Sequence, residues 1–233
     1  MSILAVIPAR GGSKGIPRKN LLEVGGQPLI AWTIAQAIGA GEDVHVVVST
    51  EDAEIAEVAA SYGAHIIDRP AELAVDTAPT EPVILHAMDE VEKDGMELEG
   101  VMLLQATSPV RHPDTIRRAI DQFRTTGADS LVGVTPQSPF FWHPPSGQDP
   151  SARADYDWRN RPRRQDLQPQ EMFYFENGSL YLTAPHIYRD TGNRIGGTIS
   201  LFILDEVEGV DIDTIADVAA AEQMLARIGW TLT

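Results

Sequence analysis

Cysteine is missing from all 233 residues. That excludes a disulfide framework, a cysteine-ligated zinc or iron–sulfur site and thiol catalysis. Positive charge is scarce: 18 basic residues face 34 acidic ones, for a formal charge of −16. A chain so poor in cations lacks the basic footprint for broad binding to nucleic acid or anionic membrane. No apolar run approaches the roughly 18 residues of a membrane span. The opening MSILAVIPARGG has no basic residue ahead of its short apolar stretch, so neither a signal peptide nor a membrane anchor is expected, and the default location is the cytoplasm. Internal repeats, low-complexity tracts and a clean interdomain linker are also lacking. What remains is 43% hydrophobic and 22% charged, which suits a single domain over residues 1–233 with a solvated acidic surface. Lysine occurs only at positions 14, 19 and 93. Two of the three fall within the first twenty residues, and a local knot of cations in so acidic a chain calls for an explanation.

Strand and helix signals alternate through the first half. Residues 3–8, 44–49, 64–67, 101–105 and 130–135 read as buried strands. Residues 29–38, 52–61, 79–93 and 113–124 read as helices, the last opening with Pro113 in its first turn. Repeated units of this length predict an α/β fold with a mostly parallel sheet and helices on both faces. Further strands are expected at 179–183 and 198–204, and a last helix at 215–228.

The alternation fails over residues 137–172, which hold six prolines and five arginines. A loop this long within a compact domain is uncommon unless it has a function of its own. Its aromatics, Phe140, Phe141, Trp142, Tyr156 and Trp158, are unlike a disordered segment. The stretch is read as a protruding arm that packs on a second subunit.

Two places carry the chemistry. The run from Arg10 to Asn20 (RGGSKGIPRKN) follows the first strand directly, where parallel sheets bind ligands. Gly11, Gly12 and Gly15 allow close backbone approach, and Arg10, Lys14, Arg18 and Lys19 supply positive charge, the combination a nucleoside triphosphate needs. Neither the GK[ST] ending of a P-loop nor GxGxxG is present. Late in the chain, VDIDT sets Asp211 and Asp213 two residues apart, on one face of an extended segment with Val210 and Ile212 as anchors. Paired carboxylates of this kind are ligands for a hard cation; the same acids also read as an acidic strand end before a helix cap at Asp213 or Thr214.

Taken together, ARGGSKGIPRKN (9–20), RPAELAVDTAPT (69–80), LLQATSPVR (103–111), ENGSLYLT (176–183) and VDIDT (210–214) closely resemble the acylneuraminate cytidylyltransferases, or CMP-sialic acid synthetases. The likeness runs from residue 3 to about residue 228 and is weakest in the arm. It implies a Rossmann-like nucleotidyltransferase fold, a homodimer, and transfer of CMP from CTP to the anomeric hydroxyl of a nonulosonic acid with release of pyrophosphate. No covalent enzyme intermediate is required.

The resemblance also implies roles. Arg10 and Lys19 match residues on the triphosphate and, with Asp211, would be catalytic. Gly11, Gly12, Ser13, Lys14 and Asn20 would complete the nucleotide site, with Arg69 and Thr80 enclosing the cytosine. Asp211 and Asp213 match ligands of Mg2+ (or Mn2+), and Asp211 is also a candidate to deprotonate the sugar hydroxyl. On the sugar side the matches are Gln105, Asn177, Tyr181 and Arg164, the last an arginine supplied by the arm across the dimer. Judged alone, a glutamine at a strand end is more often a turn partner and an arm arginine a surface group.

Two departures fall on that sugar side. About three extra residues separate Arg164 from Asn177, and Phe140-Phe141-Trp142-His143 replaces a basic residue that many members carry. Legionaminic acid, pseudaminic acid or another 3-deoxy-2-ketoaldonic acid are alternative substrates. A catalytically silent nucleotide-binding protein and an acidic scaffold without ligand are readings of a different class.

Overall fold

The computed structural model describes residues 2–13, 15–147 and 150–232. Strand β1 (Ser2–Pro8) is apolar throughout Ile3 to Ile7, as a strand covered on both faces must be. Two short strands, β2 (Glu23–Val24) and β3 (Gln27–Pro28), precede helix α1 (Leu29–Ile38). There follow β4 (Val44–Thr50), α2 (Ala53–Ser61), β5 (His65–Asp68), α3 (Glu81–Lys93), β6 (Leu98–Leu104), α4 (Thr115–Thr126) and β7 (Ser130–Gln137). The chain then forms β8 (Trp142–His143), β9 (Arg153–Ala154), β10 (Phe173–Thr183), α5 (Pro185–Thr191), β11 (Ile199–Ile203) and α6 (Ile215–Ile228).

The main sheet has the order β11-β7-β10-β6-β1-β4-β5. Its pairings are parallel except those of β10, which runs antiparallel between β6 and β7. The expected mostly parallel sheet is therefore present, with one reversed strand that hydrophobic patterning does not disclose. That strand also starts earlier than position 179, because β7 extends to Gln137 and pairs it with Phe173. Between Glu176, opposite Val134, and Tyr181, opposite Val132, four residues of β10 stand against Gly133 alone. This bulge carries Asn177 and Gly178.

Side chains alternate across the sheet. Ile3, Ala5 and Ile7 pack beneath α1, α2 and α4, whereas Leu4 and Val6 pack beneath α3 and α5. A third cluster joins Ile16, Val24, Leu29, Trp32, Val110, Ile212, Ala221 and Leu225. Burying a side chain of this size stabilises by about 1.5–3 kcal/mol. The third cluster is what draws the opening loop and the segment around position 212 together.

Helix ends explain two differences from the expected boundaries. Asp52 caps α2, its Oδ1 accepting from the backbone N–H of Glu54 at 3.1 Å and of Ile55 at 3.0 Å. Pro113 lies ahead of the first helical residue of α4, outside rather than within the first turn. Helix α5 went unforeseen because seven residues are too few for a helical period to emerge. The last helix has the expected bounds, and Asp217 accepts from the Thr214 backbone N–H at 2.7 Å at its start.

Segment 137–172 is more than a loop. Strands β8 and β9 form a minimal hairpin, followed by three short 3-10 turns. Its aromatics pack on one another and on arginines: Phe140 meets Tyr156 edge-on at 5.0 Å between ring centres, and the Arg161 guanidinium lies 3.8 Å over Phe140. Phe141, Trp142 and Trp158 remain exposed. Among the described residues no helix is long and apolar enough to cross a membrane.

Candidate active site

The opening loop leaves β1 at its C-terminal end and turns closely over β4 and α2. Gly11 donates its N–H to Glu51 Oε1 at 2.8 Å, and a Cβ at Gly11 would overlap the Asp52 carboxylate. A Cβ at Gly15 would stand 2.9 Å from the carbonyl oxygen of Asp213. Gly12 is exposed and Ser13 half-buried. Lys14 lies outside the described residues.

Of the expected cations, Arg18 turns away. It adopts a left-handed backbone, with φ of 57°, and its guanidinium binds the carboxylates of Asp52 and Glu54. The hydrogen bond to Arg18 holds the Asp52 carboxyl below its ordinary range. Arg18 thus ties the loop to α2 rather than adding to a phosphate site.

Arg10 forms an ion pair with Asp76 at 2.8 Å. Arg10, Arg69, Asp76, Thr80 and Gln105 line a cavity of about 370 Å3. Arg69 is buried, its Nε donating to Ser49 Oγ at 3.3 Å, and burial lowers its pKa. An adjoining cavity of about 140 Å3 shares Pro8, Thr80 and Gln105 and adds Asn20 and Thr107. The Asn20 amide donates to the Arg10 carbonyl at 3.0 Å and so braces the loop from beneath.

Lys19 makes the decisive contact. Its ammonium donates to the Ile212 carbonyl at 2.7 Å and to Asp213 Oδ1 at 3.2 Å, across 194 positions of sequence. The Ile212 N–H donates to the Thr107 carbonyl at 2.8 Å, and Ser108 Oγ donates to Asp211 Oδ1 at 3.2 Å. The loop after β6, the opening loop and the late aspartates therefore meet at one place. Ile212 is fully buried between the two acids, the anchor expected of it.

The expected sugar-side residues divide. Gln105 faces the bulge in β10, where a Cβ at Gly178, with φ of 78°, would come within 3.0 Å of Gln105 Oε1. Asn177 is half-buried; its Oδ1 accepts from the Ser179 N–H at 3.1 Å and its amide donates to the Glu208 carbonyl at 3.4 Å. Tyr181 does not reach the cleft. It is 3% exposed in the layer beneath α3 and α5, with its hydroxyl donated to Glu176 and its phenol pKa pushed up by burial. Arg164 lines a separate cavity of about 520 Å3, with Phe140, Phe141, Phe175 and Glu206, away from Arg10 and Lys19. One chain thus assembles Arg10, Lys19, Asn20, Arg69, Thr80, Gln105, Asp211 and Asp213, and leaves Arg164 and Tyr181 apart.

Several members of the site escaped the sequence reading. Asp76 lies within RPAELAVDTAPT and Ser108 and Arg111 within LLQATSPVR, yet in one chain nothing separates them from surface polar residues. Glu208, fully buried, reads in sequence as part of an acidic tract.

The cytidylyltransferase family matches residues 4–141. Over 232 residues the chain is 35% identical to a CMP-N,N'-diacetyllegionaminic acid synthase of Legionella pneumophila, covering 97% of both proteins. It is 34% identical over 230 residues to N-acylneuraminate cytidylyltransferase A of Danio rerio, covering 98% of this chain and 52% of that one. The chain thus spans about half the length of the fish relatives it matches. A pseudaminic acid cytidylyltransferase of Campylobacter jejuni is 32% identical over 238 residues, covering 95% of each. In fold, the chain is similar to a CMP:2-keto-3-deoxy-manno-octonic acid synthetase complexed with CTP, with a TM-score of 0.68 at 16% identity, covering 97% of this chain and 99% of the other. On the match to more than half of its length and these near-complete alignments, the chain belongs to the cytidylyltransferase family.

Proposed function

We propose that this protein is an enzyme that joins CMP from CTP to the anomeric hydroxyl of a nonulosonic acid of the sialic, legionaminic or pseudaminic kind. The observation that carries the reading is the contact of Lys19 with Asp213 and the Ile212 carbonyl, beside a cavity lined by Arg10. Cations for a polyphosphate and carboxylates for a hard cation stand side by side there. The names of relatives that align along nearly their whole length support the class of acceptor.

In this reading the backbone of Gly11, Gly12 and Ser13, with Lys14, cradles the triphosphate, and Arg69 and Thr80 enclose the base. The sugar hydroxyl oxygen forms a bond to the α-phosphorus as the bond to pyrophosphate breaks. Arg10 and Lys19 would stabilise the charge that develops on the phosphates, while Asp211 would accept the hydroxyl proton. Asp211 and Asp213 would hold Mg2+ (or Mn2+). Two carboxylates are too few for an all-protein cage, and no group of three or more metal-binding acids or histidines occurs among the described residues. They suit a cation that takes its remaining oxygens from phosphate and water. When bound, the ion supplies charge neutralisation on the phosphate oxygens.

The acceptor's carboxylate calls for a guanidinium. Arg164 lies apart from the cleft of its own chain, which supports a homodimer in which the arm delivers it to the partner. The enzyme would work in the cytoplasm, where CTP is made.

The test follows pyrophosphate release from each nucleoside triphosphate with a panel of nonulosonic acids and Mg2+. Release with CTP and at least one such acid is expected. CTP binding without release for any acid would establish the silent-binding alternative instead.

A further inference from the structure

Among the described residues, Arg111 is one of the largest fully buried side chains, and no carboxylate pairs with it. Its guanidinium reaches three elements instead. Nη1 donates to Thr33 Oγ1 at 3.2 Å and to Gln36 Oε1 at 2.9 Å, both on α1. Nη2 donates to the backbone carbonyl of Gln105 at 3.2 Å and to that of Ser179 at 2.7 Å. Burial pushes its pKa down to about 10, with Glu208 and Asp211 acting from a distance in the other direction, so it is charged at neutral pH. A cation kept in the interior against neutral acceptors alone is costly to bury, and packing could be satisfied by methionine or leucine.

What Arg111 joins gives the reason. Gln105 directly follows β6 and lines the cleft; Ser179 belongs to the bulge of β10 that carries Asn177 and Gly178. A single planar fork therefore sets the separation between the two backbone segments that flank the acceptor side. Its other edge is anchored on α1, where the Gln36 amide in turn donates to the Pro109 carbonyl at 2.7 Å. Glu208 braces the far end of the same loop, accepting from the His112 N–H at 3.0 Å and from Thr115.

We infer that Arg111 is a positioning residue for the acceptor sugar: it holds Gln105 and the Asn177–Gly178 bulge at the spacing that the acid requires, without touching either substrate. The inference rests on the proposed function, together with the sugar-side roles that the family resemblance implies for Gln105 and Asn177. On the nucleotide side, Arg10, Asn20, Arg69 and Thr80 make none of these hydrogen bonds and are held by other contacts.

The experiment compares Arg111→Lys with the wild type, using N-acetylneuraminic acid and N,N'-diacetyllegionaminic acid as acceptors and measuring CTP affinity separately by calorimetry. Lysine keeps the charge but cannot bridge both carbonyls and α1 at once. The KM for the better acceptor should rise about tenfold or more, as a displaced positioning contact does, while CTP affinity stays within about twofold. Thr33→Val removes one anchor at nearly constant volume, and should move the acceptor KM the same way by a smaller factor. It carries the test if Arg111→Lys does not fold. Equal losses for CTP and acceptor, or an unchanged acceptor KM in folded Arg111→Lys or Thr33→Val, would overturn the inference. Failure of the wild type to use any acid would instead overturn the proposed function.

Discussion

Lys19 offers the sharpest separation between a catalytic and a structural role. Replacing it with methionine keeps length and apolar stem while deleting the ammonium that bridges the Ile212 carbonyl and Asp213. The structural cost is small, because the Asp213 side chain is 77% exposed and pairs of that kind contribute about 1 kcal/mol at most. The kinetic cost is larger. Lys19 is itself only 15% exposed, so an effective dielectric near 20 applies, where unit charges about 4 Å apart interact by about 4 kcal/mol. That agrees with the loss of about 2.7–4 kcal/mol when an oxyanion donor is removed, equivalent to about 100- to 1,000-fold in rate. Lys19→Met should therefore lose at least two orders of magnitude in kcat/KM, followed by pyrophosphate release, with an unfolding free energy within about 1 kcal/mol of wild type. A fall of less than tenfold in a stable variant would refute the charge-stabilising role. A loss of several kcal/mol in stability would mean that the contact with Ile212 is chiefly architectural.

The remaining predictions concern metal, arm and pH. Asp211→Asn should nearly abolish turnover with the thermal midpoint retained; near-normal turnover at saturating Mg2+ would remove it from the metal site. Arg164→Ala should raise the acceptor KM with CTP affinity unchanged. Mixed and re-equilibrated with Lys19→Met, it should recover about a quarter of wild-type activity, because half of the sites in a mixed dimer are intact if the arm acts across subunits; no recovery would place its action within one chain. Asp52→Ala removes the α2 cap and should cost about 1 kcal/mol in denaturant unfolding at neutral pH. Since the folded-state pKa of Asp52 is depressed, this contribution is complete above the unfolded value near 3.8 and disappears as pH falls through the lower folded value; a gap that persists unaltered in strong acid would contradict the assignment. His45 has its pKa lowered by burial and by neighbouring His65, so its neutral form is favoured by folding. Stability should fall as pH drops through about 6.5, and His45→Gln should flatten that slope; parallel curves would show that other groups govern it.

Local signals were strong wherever one residue's neighbours in sequence are also its neighbours in space. The alternation of strand and helix, the glycine loop after β1 and the cap of α6 at Thr214 all follow from periods, caps and turn residues within a few positions. Two of the motifs that converge at the cleft were readable as chemistry for the same reason: glycines and cations around 10–20, and twin acids at 211 and 213, carry their preferences in their own side chains.

Meeting of those motifs was decided only by tertiary structure. Ile16 and Ile212 share a buried cluster, and this packing, rather than any local pattern, sets Lys19 against Asp213. Arg18 and Lys19 are adjacent and alike in charge, yet one binds Asp52, the cap of α2, and the other the late acidic segment. The reversal of β10, the bulge at Asn177 and the interior fate of Tyr181 and Arg111 likewise depend on which strands become neighbours. Hydrophobic periodicity specifies that a face is buried and hydrogen-bonding groups specify that partners are needed, but the identity of those partners is settled when the sheet order closes.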